Sequence, residues 1–249
     1  MNRYFLKMND PKTQFIIFGP SRILQEIIIH GVNINANTTI RFISTVKNLG
    51  VHMDQHLTMT NNTIKLKKKS FKFLRNIARI PSLLSIEQLK LIVNTLVVLG
   101  LDYCNSLYYG VSGSVIHQQQ LIQNAAVKLV TGKFKYDHVG NDLFKLHWLP
   151  IKRWIIFKVA LLSYKCVTRM APSYLQDLFQ YKHHGHSCLL IVPSANTRYG
   201  KRSFSIAGPK VFNMLPQSIK SLTNLKSFKT NLKTYLFQIS ESEIDKLWI

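Results

Sequence analysis

The 249 residues carry 33 Lys and Arg against 11 Asp and Glu, a formal net charge of +22. With 46% hydrophobic and 11% aromatic residues the chain has the composition of a folded protein, which excludes a disordered basic tail. Such an excess on a folded chain points to a polyanionic partner, nucleic acid before an acidic membrane surface, and eleven scattered carboxylates speak against carboxylate-based catalysis.

Between Gln14 and Val51, short apolar runs at Phe15–Phe18, Ile23–Ile29 and Ile40–Val46 are broken by Gly19-Pro20, Gly31 and Asn33–Asn37, and they predict strands or hairpins. From Asn61 the period turns helical, and Pro81 closes this first helix. Ser85 followed by Gln88 forms a capping box ahead of a helix over Leu89–Leu101. A third helix runs from about Ser114 to Val130 and stops at Gly132. Pro150 suits the first turn of a helix reaching Tyr164, and Pro172 opens a shorter one to Phe179. Tyr181 to Lys201 reads as a polar, His-rich loop. Pro209 and Pro216 bracket a short helix, and Asn224 to Ile239 forms the last.

Three cysteines, Cys104, Cys166 and Cys188, are too few and too scattered for a disulfide framework, so a reducing compartment is expected. The longest uncharged apolar stretch, Leu91–Leu101, is too short to span a bilayer, and Met1–Lys12 has no secretory signal character. The expectation is a soluble, intracellular protein, nuclear or cytoplasmic, with no membrane partner.

The clearest physical signal lies in Asn61–Ile80. Lys65, Lys68, Lys72, Arg75 and Arg79 recur at intervals of 3, 4, 3 and 4, which places them on one helix face, while Leu66, Phe73, Ile77 and Ile80 fall on the other. No acid interrupts the stripe, so it can follow a phosphate backbone. In the last helix, Lys226, Lys229 and Lys233 flank a seam of Leu225, Phe228, Leu232 and Leu236. Tyr199, Lys201, Arg202 and Phe204 mix base-stacking and phosphate-pairing side chains in a loop, a combination suited to single strands. Between Leu143 and Ser240 the single acidic residue is Asp177, against fifteen Lys and Arg.

Other chemistry is weaker. His52, Asp54 and His56 alternate on one strand face, but three ligands within five residues are cramped for tetrahedral metal binding. Cys166, His183, His184, His186 and Cys188 lack zinc-finger spacing. Cys104, near Asp102, could be paired with His147 as a nucleophile, but nothing local activates it. Gly19, Gly110 and Gly113 belong to no phosphate-cradling motif, there is no Asp-Asp pair, and Glu241, Glu243 and Asp245 cluster in a terminal tail. No catalytic residue, metal site or cofactor is expected.

Several stretches taken together resemble one family. Leu6-Lys7-Met8-Asn9-Asp10-Pro11-Lys12-Thr13-Gln14, Val46-Lys47-Asn48-Leu49-Gly50-Val51-His52-Met53-Asp54 and Leu101-Asp102-Tyr103-Cys104-Asn105-Ser106-Leu107 come first in the chain. Gln123-Asn124-Ala125-Ala126, Leu129-Val130-Thr131-Gly132 and Leu146-His147-Trp148-Leu149-Pro150 follow. Ala171-Pro172-Ser173-Tyr174-Leu175, Phe204-Ser205-Ile206-Ala207-Gly208-Pro209 and Phe212-Asn213-Met214-Leu215-Pro216 complete the series. In this order and at these spacings they resemble the reverse transcriptases of non-LTR retrotransposons of the jockey-like LINE type. Gln14 stands where those polymerases carry Glu, and His52, His56 and His183–His186 are departures from their pattern.

The resemblance implies an α+β chain with a β-rich palm remnant at residues 1–59, a helical thumb at 60–135 and a basic helical C-terminal domain at 136–249. It implies that Leu49, Gly50 and Val51 form the turn that steadies a primer end, and that the catalytic carboxylates of the family precede Met1. The expected function is that of a truncated reverse transcriptase-like protein that binds RNA, an RNA–DNA hybrid or a DNA duplex through the backbone without catalysis. Mg²⁺ would be required only by an intact polymerase. The candidate contacts are the Lys65–Arg79 stripe, Lys201, Arg202, Lys226, Lys229 and Lys233. The alternatives are a helical protein–protein interaction module and a pseudogene fragment without a cellular role.

Overall fold

The computed structural model describes residues 9, 12–26, 31–35, 38–80, 84–184 and 187–248. The chain is α+β, with an N-terminal β region and a helical remainder. It divides into two compact units, Met1–Lys65 and Leu66–Ile249. Among the described residues, no helix is long and apolar enough to cross a membrane.

The first unit holds helix α1 (Ser21–Glu26) and strands β1 (Gly31–Asn35), β2 (Thr38–Arg41), β3 (Thr45–Asn48) and β4 (Val51–Asp54). They pair as two antiparallel hairpins, β1 with β2 and β3 with β4. The run Phe15–Phe18 is not a strand: it meets Phe42 in one isolated bridge, with the two rings 6.4 Å apart edge to face. Nor is Ile23–Glu26 a strand. Pro20 precedes a stretch of good helix formers, and the Leu24 N–H donates to the Pro20 carbonyl, so the segment coils into α1; Ile27–Ile29 lie outside the described residues. The expected strand Ile40–Val46 is broken at Phe42–Ser44 between β2 and β3.

The second unit begins inside helix α2 (Thr60–Ile77). Helix α3 (Ile86–Val93) starts at the expected capping box, with the Gln88 N–H donating to the Ser85 hydroxyl and the Ser85 N–H to the Gln88 side chain. It continues into a π-helical turn, Asn94–Val98, and α4 (Leu99–Asp102). Pro81, the expected terminator of α2, lies outside the described residues; the helix itself ends at Ile77. After the 3₁₀ turn Asn105–Tyr108 come α5 (Gly113–Thr131), α6 (Gly140–Lys145), α7 (Ile151–Val167) and α8 (Ser173–Gln176). Gly132 closes α5 with φ of 67°, and the Lys133 N–H donates back to the Lys128 carbonyl, as expected of a glycine stop.

The stretch Tyr181–Lys201 is not a plain loop. It forms the hairpin β5 (Tyr181–His184) and β6 (Ser187–Leu190) and then helix α9 (Arg198–Arg202). Pro209 does not bracket a helix either; it sits inside α10 (Phe204–Asn213), and Pro216 precedes α11 (Gln217–Lys220). Helix α12 (Leu225–Gln238) starts at Asn224, whose side chain accepts from Lys226 and Ser227 N–H, and α13 (Glu241–Leu247) follows a second capping box at Ser240.

Helix α7 is the hub of this unit and packs against α5, α10 and α12. Ile151, Ile155, Ile156 and Ala160 are fully buried along it, and Tyr164 stacks on Phe228 of α12 at 3.9 Å between centroids. Helices α7 and α10 approach closely at Gly208. A Cβ there would lie 2.6 Å from the ring tip of Phe179 and 3.0 Å from the Ser163 hydroxyl. Overpacking of this kind costs about 1–3 kcal/mol, offset by up to about 1 kcal/mol of helix propensity. Gly208→Ala is therefore expected to lose about 1–2 kcal/mol, read as a lower denaturant midpoint with an unchanged slope.

The C-terminal helix is clasped to α7 by charge. Lys152 pairs with Asp245, and Arg153 with Glu241 at 2.5 Å; Arg153 also donates to the Leu236 and Phe237 carbonyls at the end of α12. Ile244 and Leu247 are buried beneath these pairs.

Candidate nucleic-acid interface

Helix α2 carries the basic stripe. Lys65, Lys68, Lys72 and Arg75 lie on it and are exposed; Arg79 is exposed too, but in the turn beyond the helix end at Ile77. Lys69 joins them, its ammonium 5.8 Å from the Phe73 ring centre, whereas Lys67 turns to donate to the Gln118 side chain. The opposite face differs from the expected one. Thr63, Ser70, Leu74 and Ile77 are the buried residues, Leu66 and Phe73 are half-buried, and Ile80 is exposed. Two of the four buried positions are small hydroxyl residues, which is why an apolar periodicity misses them.

In the first unit, the Lys65 ammonium lies 3.0 Å from the His52 ring. Burial, then Lys65 and Lys47, hold the His52 pKa below its ordinary value, so this ring adds no cation. His52 and His56 do not share a metal with Asp54. The Asp54 carboxylate accepts from the N–H groups of His56, Thr58 and Met59 and from the Thr58 hydroxyl, at 2.9–3.1 Å. It thereby fixes the turn in which Leu57 and Met59 adopt φ of 48° and 62° ahead of α2. Burial opposes the charge, but those hydrogen bonds outweigh it and hold the Asp54 pKa below its ordinary value.

A depressed carboxylate pKa stabilises above the unfolded value and loses that contribution as pH falls through the folded one. Acid titration from neutrality is thus expected to release the turn only below about pH 4. Asp54→Ala should cost roughly 2–3 kcal/mol, seen as faster amide exchange over residues 55–59 at neutral pH.

Leu49 and Gly50 form the two-residue turn of the β3–β4 hairpin, with φ of 45° and 88°, and Val51 is buried at the start of β4. The turn is of the type that needs positive φ at both positions, unusual for leucine, and it leaves the Leu49 side chain 83% exposed.

The remaining candidates divide. Lys226 and Lys229 are exposed on α12, while Lys233 is half-buried; of the expected seam Phe228, Leu232 and Leu236 are buried and Leu225 is half-buried. Lys201 is exposed. Arg202 is half-buried and donates to the Tyr109 carbonyl at 3.1 Å, so part of its role is structural. Phe204 is half-buried, and its ring packs 5.2 Å from that of Phe179. Tyr199 is half-buried on α9.

Four acids of the second unit pair with bases away from the stripe: Asp102 with Lys158 at 2.7 Å, Asp142 with Lys133 at 2.5 Å, and Glu241 and Asp245 with the α7 bases described above. Lys68, Lys72 and Arg79 have no carboxylate partner among the described residues. Cys104 opens the 3₁₀ turn with φ of 53°, and among the described residues no hydrogen bond joins it to His147. Cys166 is buried, and burial pushes its thiol up to about 11. The side chains of His183, His184, His186 and Cys188 lie outside the described residues, as do Leu6–Met8, Asp10 and Pro11 of the first family-like motif. Among the described residues, no group of three or more His, Cys, Asp or Glu side chains is placed to hold a metal ion.

Two other family-like motifs meet in space. The Gln123 side chain donates to the Leu149 carbonyl and accepts from Gln120, and Gln120 in turn accepts from the Ile151 N–H at the start of α7. No protein-family model, no curated protein and no solved structure matches the chain.

Proposed function

We propose that this protein holds nucleic acid by its phosphate backbone, with the α2 stripe as the principal contact. The observation that carries the reading is the acid-free row of exposed cations Lys65, Lys68, Lys72, Arg75 and Arg79, whose helical spacing matches a continuous polyanion better than a single small anion. The ordered motifs from Asn48-Leu49-Gly50-Val51 to Phe212-Asn213-Met214-Leu215-Pro216 support placing the chain with the jockey-like reverse transcriptases, as the end of a palm, a thumb and a C-terminal domain. The reading assigns no catalytic step and no cofactor to this chain.

The test is a salt titration of binding to duplex RNA and to an RNA–DNA hybrid. Neutralising about five phosphates gives a log–log slope of roughly −3.5 to −4.5. A flat slope, or no binding at low salt, would sink the reading. One observation favours a protein-docking role instead: Ile86, Leu91, Leu99, Tyr103 and Leu107 are apolar or aromatic and more than 45% exposed along α3, α4 and the 3₁₀ turn. Salt-insensitive binding to a protein partner, lost when Leu91 and Leu99 become Glu, would support that second reading.

A further inference from the structure

Two adjoining cavities, about 310 and 370 Å³, open between the Asn94–Val98 π-turn, the Leu146–Leu149 segment, α7 and α12. They share His147, Phe157 and Lys233, and none of the residues lining either is acidic. To the shared Phe157 and Lys233 the first cavity adds Trp148 and Trp154, and the second adds Lys229 and Phe237, so aromatic rings and ammonium groups stand side by side. From this juxtaposition we propose that the cleft takes one nucleotide of a single strand, its base against the aromatic wall and its phosphate on the α12 lysines. The proposal rests on the nucleic-acid reading above and adds a second, strand-specific site to it.

Three features favour this occupant. Lys233 is half-buried and has no hydrogen-bond or carboxylate partner among the described residues, and Lys90 adds repulsion, so an anion in the cleft would relieve both partial desolvation and like charge. Aromatic faces bind any base, and a cleft between helices can receive a base only when it is free of its duplex partner.

The third feature is His147. Helix α6 ends with the His147 N–H donating to Phe144 and the Trp148 N–H to Leu143, a Schellman closure whose left-handed position glycine normally fills. Here a histidine takes it, with φ of 55°, and its exposed side chain lines both cavities. The closure thereby sets the imidazole where the two cavities adjoin.

The test uses the full chain and a single-stranded RNA of about eight nucleotides, a typical site size, carrying 2-aminopurine at one end. Stacking is expected to quench its fluorescence on binding, while the same base in a duplex, already dim from stacking on its neighbours, should lose no further signal when the protein is added. Phe157→Leu should abolish the quenching and weaken the oligonucleotide about ten-fold without changing the salt slope. Lys233→Gln should weaken it and reduce the slope by about 0.7. His147→Gly should melt no lower than the parent, since glycine suits the left-handed position, yet bind the oligonucleotide more weakly.

Salt-dependent binding without quenching, and without sensitivity to Phe157→Leu or His147→Gly, would overturn the cleft and leave the stripe reading intact. No binding of any nucleic acid at low salt would overturn both. Adenosine monophosphate binding the cleft with the same Lys233 dependence, while the oligonucleotide leaves it untouched, would overturn a strand as the source.

Discussion

Replacing Lys65, Lys68, Lys72 and Arg75 together by alanine is expected to lower the affinity for duplex RNA about a thousand-fold in 0.1 M salt. The figure follows from counterion release, in which each lost phosphate contact removes roughly 0.7–0.9 from the log–log salt slope and the same from log K per decade of salt below molar. The slope should therefore fall by about 3 units. All four side chains are exposed, and alanine is the best helix former, so α2 should survive the change. Circular dichroism checks the fold, and a salt titration of the variant beside the parent checks the contact. An unchanged slope would clear this helix of any part in binding.

Phe228→Ala is expected to be the most damaging single substitution in the second unit. Its ring is fully buried and stacked on Tyr164 at 3.9 Å, where α12 meets α7. Truncating a buried Phe costs about 3–5 kcal/mol, because the cavity adds to the lost transfer energy. For a unit of this size that corresponds to a fall in Tm of roughly 6–20 °C. The same helix presents Lys226, Lys229 and Lys233, so binding that depends on them should weaken at temperatures well below the melting midpoint. A thermal melt shifted by less than about 3 °C would show that the α7–α12 contact is not the core described above.

What could be read from the sequence depended on how local its cause is. The Ser85–Gln88 capping box and the Gly132 stop each act within a few residues, and each stands where the order of residue types placed it. The stripe on α2 was legible for the same reason, since 3.6-residue periodicity is a local rule. Pro209 was misread because a proline normally breaks a helix; here α10 carries it beside the buried Gly208, Val211 and Phe212, where packing against α7 outweighs the missing hydrogen bond. The buried face of α2 was hidden because Thr63 and Ser70 are polar in type and inward in position.

The candidate site was legible as charge and not as shape. Lys233 belonged to the α12 lysines by spacing, but its half-burial beside Lys90 is a product of tertiary packing. Arg202 read as an exposed cation, and its hydrogen bond to Tyr109, ninety-three residues away, is invisible to any local rule. Tertiary structure also joins two segments far apart in sequence: the Gln123 side chain holds the Leu149 carbonyl, so a change at Gln123 disturbs the entry to α7.

The π-turn at Asn94–Val98 has a consequence for how this chain tolerates change in length. The Leu99 N–H reaches back to the Asn94 carbonyl, five residues earlier, so this turn holds one residue more than an α-helical one. Around that surplus Val97 and Val98 are buried while Thr95 and Leu96 stay exposed. Excising Thr95 would restore ordinary winding and leave α3 and α4 in their places, whereas the same excision within regularly wound α7 would rotate everything after it by about 100°. The helix pair thus carries a built-in splice point. Loss of one residue should be absorbed there without unseating the core, at the cost of reshaping the wall that the turn lends to the cleft.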